Sequence, residues 1–67
     1  MKSVLTILSI ITNEDINEIK EVISVNEGII ACEININKKE VSIVYDDRTV
    51  SLEKIIIAIE ELGYSVK

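Results

Sequence analysis

The sequence predicts an α+β fold in which two helices alternate with four short strands, in the order βαββαβ. Two stretches place isoleucine, valine and leucine at helical spacing, and each of them starts at a hydroxyl residue and ends near a glycine. Between these stretches, two segments alternate apolar and polar residues at the period of a strand and are joined by a short polar turn. The chain therefore divides into two halves that each run strand, helix, strand.

In the first half, an apolar run at residues 4–8 has the length of a strand, and the Asn-Glu-Gly of residues 26–28 is typical of a left-handed turn that ends a helix. The helix between them is amphipathic, because its apolar residues recur at helical spacing while charged residues occupy the other side. Its predicted buried stripe consists of Ile16, Ile19, Val22 and Ile23. The strand that follows is predicted to bury Ile30, Cys32, Ile34 and Ile36.

In the second half, a polar turn at residues 37–39 leads into a strand that forms a hairpin with the preceding one. The residues that this third strand is predicted to bury are Val41, Ile43 and Tyr45. Ser51 is predicted to cap the second helix, because its hydroxyl can accept a hydrogen bond from a free N–H of the first turn. The buried stripe of that helix is predicted to be Leu52, Ile55, Ile56, Ile59 and Leu62. Gly63 ends the helix, and residues 64–66 are predicted to form the last strand.

The connections between these elements predict their arrangement in space. Right-handed βαβ crossovers place both helices on the same face of the sheet. The expected architecture is a ferredoxin-like sandwich, with a four-stranded antiparallel sheet in the strand order 4-1-3-2. At 67 residues the chain is expected to form one domain, residues 1–67, that depends on a dense apolar core.

The composition argues against several classes of function. Twelve acidic residues against seven basic ones give a net charge of −5, which disfavours binding to nucleic acid. No apolar span is long enough to cross a membrane and a single cysteine cannot form an intramolecular disulfide, so we expect a cytoplasmic protein without membrane insertion. The chain has no histidine and no glycine-rich phosphate loop, and we therefore do not expect an enzyme.

Two segments resemble a known family. VSIVYDDRTVSLEKIIIAIEELGYSVK, residues 41–67, is similar to the strand, Tyr-Asp, Ser-Leu helix start and terminal Gly-Tyr of heavy-metal-associated domains. NEGIIACEININ, residues 26–37, resembles the turn into their second strand. These domains include small copper chaperones and the N-terminal domains of copper-transporting P-type ATPases. The resemblance implies the same ferredoxin-like fold.

The resemblance also implies where a metal site would lie. The family binds a soft monovalent metal through a Gly-Met-Thr-Cys-x-x-Cys loop after the first strand, and its two thiolates suit Cu(I) because both partners are polarizable. SIITNED, residues 9–15, matches this loop in position, so that Thr12 stands at the first cysteine and Asp15 at the second. Tyr64 matches the family's Gly-Tyr position beside the metal. Because both thiols are absent, we predict no metal or other cofactor at Thr12, Asp15 and Tyr64.

A structural role accounts for the same residues. Thr12 followed three residues later by Asp15 predicts a capping box, in which the hydroxyl accepts a hydrogen bond from the first turn and the acidic side chain reaches back. Tyr64 is expected to cover the end of the core, because its ring is apolar and its hydroxyl polar. Cys32 is expected to pack inside the core as a small apolar residue.

Five apolar residues fall where the pattern predicts contact with water. They are Val4, Leu8, Ile11, Val44 and Ile57. The predicted strand order makes the first and third strands neighbours, which would bring Val4, Leu8 and Val44 together on the face away from the helices. A contiguous exposed apolar set is typical of a protein interface, and these five residues are the predicted interaction surface.

These observations predict a degenerate heavy-metal-associated-like domain that acts as a docking or regulatory module in metal transport or resistance. The predicted partner is a metal-transport ATPase or a related domain. Two alternatives stay open. One is a metal-binding domain whose non-thiolate ligands come from Thr12, Asp15, Tyr64 or a second chain, and the other is a dimeric small-molecule sensor domain.

Overall fold

In the computed structural model, which describes residues 1–67, a central strand is flanked on both sides by antiparallel neighbours. The elements are β1 (Lys2–Thr6), α1 (Asn13–Ser24), β2 (Ile29–Asn35), β3 (Glu40–Tyr45) and α2 (Leu52–Glu60). The strand order is β1-β3-β2, so the first and third strands are neighbours as predicted. The α+β class is confirmed, with two helices and a three-stranded antiparallel sheet.

The predicted fourth strand is not formed. Residues 64–66 are irregular, and the only backbone hydrogen bond that joins this end of the chain to the sheet runs from the Lys67 N–H to the Thr6 carbonyl oxygen, at 2.9 Å. β1 itself ends at Thr6, earlier than predicted, because the chain turns where the Ile10 N–H donates to the Ile7 carbonyl oxygen at 3.3 Å. The sheet therefore has three strands in the order 1-3-2 rather than four in the order 4-1-3-2.

β2 contains a bulge that changes which of its residues are buried. Ile29 lies opposite Tyr45 and Ala31 lies opposite Val44, so Ile30 is an extra residue without a partner in β3. Because side chains alternate between the two faces of a strand, the extra residue shifts the phase. Ile30 is 70% exposed, and the prediction that it shares the buried face is wrong. Ile29 packs against the core in its place.

Both helices pack on the same face of the sheet and form one core with it. Ile19 and Ile23 of α1 and Ile55 and Ile59 of α2 are fully buried, which confirms the helical stripes at these positions. The central strand contributes its alternate residues to the same core, namely Val41, Ile43 and Tyr45. Cys32 is half-buried and packs against this core, in agreement with its predicted packing role.

Left-handed backbone follows each helix at a glycine, with φ of +96° at Gly28 and +102° at Gly63. After α1, the side-chain amide of Asn26 donates to the Val22 carbonyl oxygen at 2.9 Å and satisfies one of the last carbonyls of the helix. The left-handed conformation predicted for this turn is found at Gly28, whereas the residue that caps α1, Val25, is right-handed. Glycine adopts such φ values at no steric cost, so these two positions set the exits from the helices.

Candidate functional site

The loop between β1 and α1 is fixed to the rest of the molecule at Ile10. The side chain of Ile10 is fully buried, and its carbonyl oxygen accepts a hydrogen bond from Lys39 Nζ. Lys39 lies in the turn between β2 and β3, where it adopts a φ of 58°. The next residue in the loop, Ile11, is 70% exposed. The loop therefore presents an apolar side chain to solvent from a backbone that is held by the core and by the hairpin turn.

The start of α1 is the predicted capping box. Thr12 Oγ1 accepts a hydrogen bond from the Asp15 N–H at 3.2 Å. Asp15 Oδ2 accepts in return from the Thr12 N–H at 3.0 Å and from the Ile11 N–H at 2.9 Å. Glu14 and Asp15 also bring negative charge to the positive end of the helix dipole. The prediction of a capping box at Thr12 and Asp15 is confirmed.

The second oxygen of Asp15 connects the start of α1 to the C-terminal segment. Tyr64 Oη donates a hydrogen bond to Asp15 Oδ1 at 2.6 Å, although the two residues are 49 positions apart in the sequence. The Tyr64 ring is half-buried and packs against the core, as expected from its predicted covering role. Both carboxylate oxygens of Asp15 are thus engaged, and one side chain joins the loop, the helix and the C-terminal segment.

These hydrogen bonds fix the charge states of the pair. The bond from Tyr64, followed by the backbone bonds from Ile11 and Thr12, lowers the pKa of Asp15 to about 2. The same bond, together with burial and the negative charges of Asp15 and Glu18, raises the pKa of Tyr64 to about 12. At neutral pH, Asp15 is an anion and Tyr64 is a neutral donor.

The residues at this position do not fit a soft metal ion. Thr12, Asp15 and Tyr64 converge through their hydrogen bonds, but they offer only oxygen atoms, whereas Cu(I) prefers sulfur ligands. The single cysteine, Cys32, lies in β2, and burial raises the pKa of its thiol, which disfavours the thiolate that binds metal. No group of three or more histidine, cysteine, aspartate or glutamate side chains is placed to hold a metal ion.

The five residues of the predicted interaction surface lie in three different places. Val4 and Val44 are diagonal neighbours on β1 and β3, on the sheet face away from the helices, where Val4 is 52% exposed. Leu8 and Ile11 lie in the loop before α1, because β1 ends before Leu8. Ile57 is exposed on α2, in the helical layer on the other side of the sheet. Ile57 therefore lies on the opposite side of the sheet from Val4 and Val44.

Other exposed apolar residues were not identified from the sequence. Val25 is 77% exposed, three positions after Val22 on the same side of α1. Leu62 is 39% exposed, and its predicted place on the buried stripe of α2 is wrong, because the helix ends at Glu60 and the chain turns there. The spacing of three positions between Val22 and Val25 was the feature of the sequence from which Val25 could have been assigned to the same side of the helix. Neither helix is long and apolar enough to cross a membrane.

The chain matches a known family over most of its length. A family model of the heavy-metal-associated domain matches residues 16–65. The chain is also 33% identical, over 51 residues, to the copper chaperone CopZ of Staphylococcus haemolyticus, a match that covers 76% of this chain and 75% of that protein. The chain therefore belongs to the heavy-metal-associated domain family. The region matched by the family model begins directly after Asp15 and does not include the SIITNED loop.

Solved structures share the fold. A CopZ metallochaperone superposes with a TM-score of 0.96 at 22% sequence identity, and the match covers 100% of both chains. A copper-binding domain from HMA7, a P-type ATPase, superposes with a TM-score of 0.91 at 17% identity, covering 98% of this chain and 89% of that one. At these identities the likeness concerns the fold alone, and it supports the ferredoxin-like architecture.

Proposed function

We propose that this chain is a heavy-metal-associated domain that has lost the two-thiol copper site and acts as a docking or regulatory module in metal transport or resistance. One observation carries the proposal. The side chains of Thr12 and Asp15, which the resemblance places at the positions of the family's two cysteines, are engaged in hydrogen bonds within the protein. The proposed role uses the surface of the retained framework rather than a metal site.

The proposed partner is a metal-transport ATPase or a related domain in the cytoplasm. The named relatives support this setting, since one is a copper chaperone and another is a copper-binding domain of a P-type ATPase. The net charge of −5 favours a partner with a basic surface, because complementary charge speeds the encounter and penalises wrong partners. The role that we propose is binding, without catalysis.

The decisive test is a titration with Cu(I) in the presence of a competing chelator. We expect the chelator to keep the metal, because oxygen ligands engaged in hydrogen bonds compete poorly for a soft ion. The double variant Thr12→Cys/Asp15→Cys is the matched control, since it restores sulfur at both positions and is expected to withdraw Cu(I) from the chelator. Tight one-to-one binding by the unmodified protein would refute the proposal.

Docking is tested separately by adding an N-terminal domain of a copper P-type ATPase to the isotope-labelled protein. We expect shifts of backbone amide signals without any metal, and loss of these shifts at high salt, because screening weakens charge-driven association. Shifts that arise only after Cu(I) is added would contradict a metal-independent module.

A further inference from the structure

A groove between α1 and the turn after α2 is lined by apolar and acidic side chains. Its walls are Glu18, Glu21, Val22, Val25 and Leu62, and its volume is about 310 Å³. Glu18, Glu21 and Val22 of α1 and Val25, the residue that caps it, line one side of the helix, because Glu18 lies three and four positions before Glu21 and Val22, and Val25 lies four and three positions after them. Leu62 closes the groove from the opposite side. Val25 and Leu62 both expose apolar surface to water.

The charge around this groove has one sign. Glu18 and Glu21 are both exposed, and the chain's one salt bridge, between Arg48 and Asp46, involves neither of them. No lysine or arginine lines the groove. A second, larger groove of about 500 Å³ lies beside β2, but its lining includes Lys20 as well as Glu21, so it does not favour one sign of charge. Of the two grooves, only the one at Leu62 has charged lining residues of a single sign, and these favour a positively charged occupant.

We propose that the groove lined by Val22, Val25 and Leu62 binds a basic amphipathic segment of a partner protein. Apolar side chains of that segment would occupy the groove, and its lysine or arginine side chains would pair with Glu18 and Glu21. A second copy of this chain does not fit the same description, because each copy carries a net charge of −5 and presents the same acidic rim. The inference rests on the proposed function as a docking module, and it specifies the surface and the chemistry of the partner.

The probe is a synthetic peptide whose leucines follow helical spacing and whose other residues are lysine, added to the isotope-labelled protein. We expect amide shifts concentrated at residues 18–25 and 61–63, with affinity that falls as salt is raised. Two control peptides separate the contributions, one with glutamate in place of lysine and one with serine in place of leucine. Both are expected to bind at least about tenfold more weakly, because each lacks one half of the recognition.

Two surface variants test the groove itself. Val25→Ser and Leu62→Ser should each weaken binding of the lysine–leucine peptide about tenfold, the loss typical of removing an apolar anchor from an interface. Both side chains are exposed, so the fold should be kept. The matched controls are Val4→Ser, which removes an apolar side chain that is 52% exposed on the sheet face away from the helices, and Glu53→Gln, which removes an exposed acidic charge of α2. Neither control should change the affinity.

The inference is overturned if the shifts centre on residues 9–15 and 64 or on β2, or if Val25→Ser and Leu62→Ser bind as the unmodified protein does. Self-association of the free protein through the groove, seen as concentration-dependent shifts of the same amides without peptide, would overturn it as well. The peptide titration is independent of the ATPase experiment. An ATPase domain that fails to bind, with peptide binding intact, refutes the proposed partner, whereas loss of groove selectivity for the peptide refutes this inference.

Discussion

The two helices begin in the same way but are held to the rest of the molecule to different extents. Thr12 and Ser51 both have extended backbone, and each hydroxyl accepts a hydrogen bond from the N–H three residues later, at 3.2 Å in both cases. At α1, that third residue is Asp15, which returns hydrogen bonds to the loop and accepts another from Tyr64. At α2, the third residue is Lys54, whose side chain returns none.

The difference shows how the loop before α1 is joined to that helix and to the C-terminal segment. A pair of thiolates holding an ion would tie a loop to a helix through the ion, and here a carboxylate makes the connection with hydrogen bonds inside the protein. Ser51 at α2 shows that a helix of this fold is capped adequately by a hydroxyl alone. The contacts of Asp15 with Ile11 and Tyr64 therefore serve the loop and the C-terminal segment, whereas its contact with the Thr12 N–H completes the capping box.

The largest effects should come from the core, where the two helices are equivalent. Ile23→Ala in α1 and Ile59→Ala in α2 each empty a site that is 0% exposed, and each should lower the free energy of unfolding by about 2–5 kcal/mol. Denaturant unfolding monitored by circular dichroism measures both. If either alanine variant fails to fold, the valine variants, expected to cost about 0.5–1.5 kcal/mol, keep the comparison measurable. If one alanine variant lost much more unfolding free energy than the other, the two helices would differ in their core packing and not only in their starts.

The second largest effects should come from alanine substitutions of the two glycines after the helices, and the two substitutions should cost different amounts of stability. Gly63→Ala places a side chain in open space and should cost about 1–2 kcal/mol, because left-handed backbone is unfavourable for alanine. Gly28→Ala carries the same strain, and its Cβ would also lie 2.9 Å from Thr49 Cβ and 3.2 Å from Val50 Cγ1. We expect Gly28→Ala to be the more destabilising variant in thermal unfolding. Equal losses would mean that residues 49 and 50 yield without cost.

Substitutions of the two cap residues should cost similar stability, whereas substitutions of the residues three positions later should not. Thr12→Ala and Ser51→Ala should each cost about 1 kcal/mol, since each removes one hydroxyl cap. Asp15→Asn should lower the melting temperature, because the carboxylate loses charge and its favourable bonds, whereas Lys54→Gln should leave the melting temperature unchanged. Equal melting temperatures for the last two variants would show that the Asp15 contacts add no stability.

The smallest effect should be the dependence of stability on pH. Because the pKa of Asp15 is lowered to about 2 in the folded protein, its contribution is present above about pH 4 and is lost as the pH falls toward 2. Tyr64→Phe removes the largest cause of that shift, so this variant should lose less stability between about pH 4 and 2 than the unmodified protein. Asp46, whose pKa is lowered by its hydrogen bonds with Arg48, contributes equally to both proteins.

Carboxyl signals in an NMR titration check this directly. The Asp15 carboxyl should titrate near pH 2 in the unmodified protein and at a higher pH in Tyr64→Phe, where the backbone bonds from Ile11 and Thr12 still hold its pKa below the ordinary value. The raised pKa of Tyr64 makes stability depend on pH in the opposite direction, because the contribution of the neutral hydroxyl is lost as the pH rises through about 12. Coinciding acid titrations in the two proteins would contradict the role given to the Tyr64 bond.

Local signals in the sequence were sufficient for the two helix starts. The spacing of a hydroxyl and the residue three positions later depends on a single helical turn, so Thr12 with Asp15 and Ser51 could be predicted without knowledge of the rest of the fold. The fully buried isoleucines of both helices followed from helical spacing for the same reason.

Contacts between distant parts of the chain were not predictable in this way. Ile29 and Ile30 are identical in type, so only the pairing with β3 decides which of them is buried. The bond from Lys39 to Ile10 joins residues 29 positions apart, and no periodic pattern relates them. The resemblance placed Tyr64 beside the loop, but the bond to Asp15 required the course of a segment that the strand pattern had assigned to the sheet.

Two hydrogen bonds join the C-terminal segment to the rest of the domain, one from the Tyr64 hydroxyl to Asp15 and one from the Lys67 N–H to the Thr6 carbonyl oxygen. Local unfolding of this segment would expose little apolar surface to water, since only Tyr64 and Val66 within it pack against the core. Loss of these contacts would be a local event, because the rest of the chain keeps a core of eleven buried side chains to which this segment contributes none.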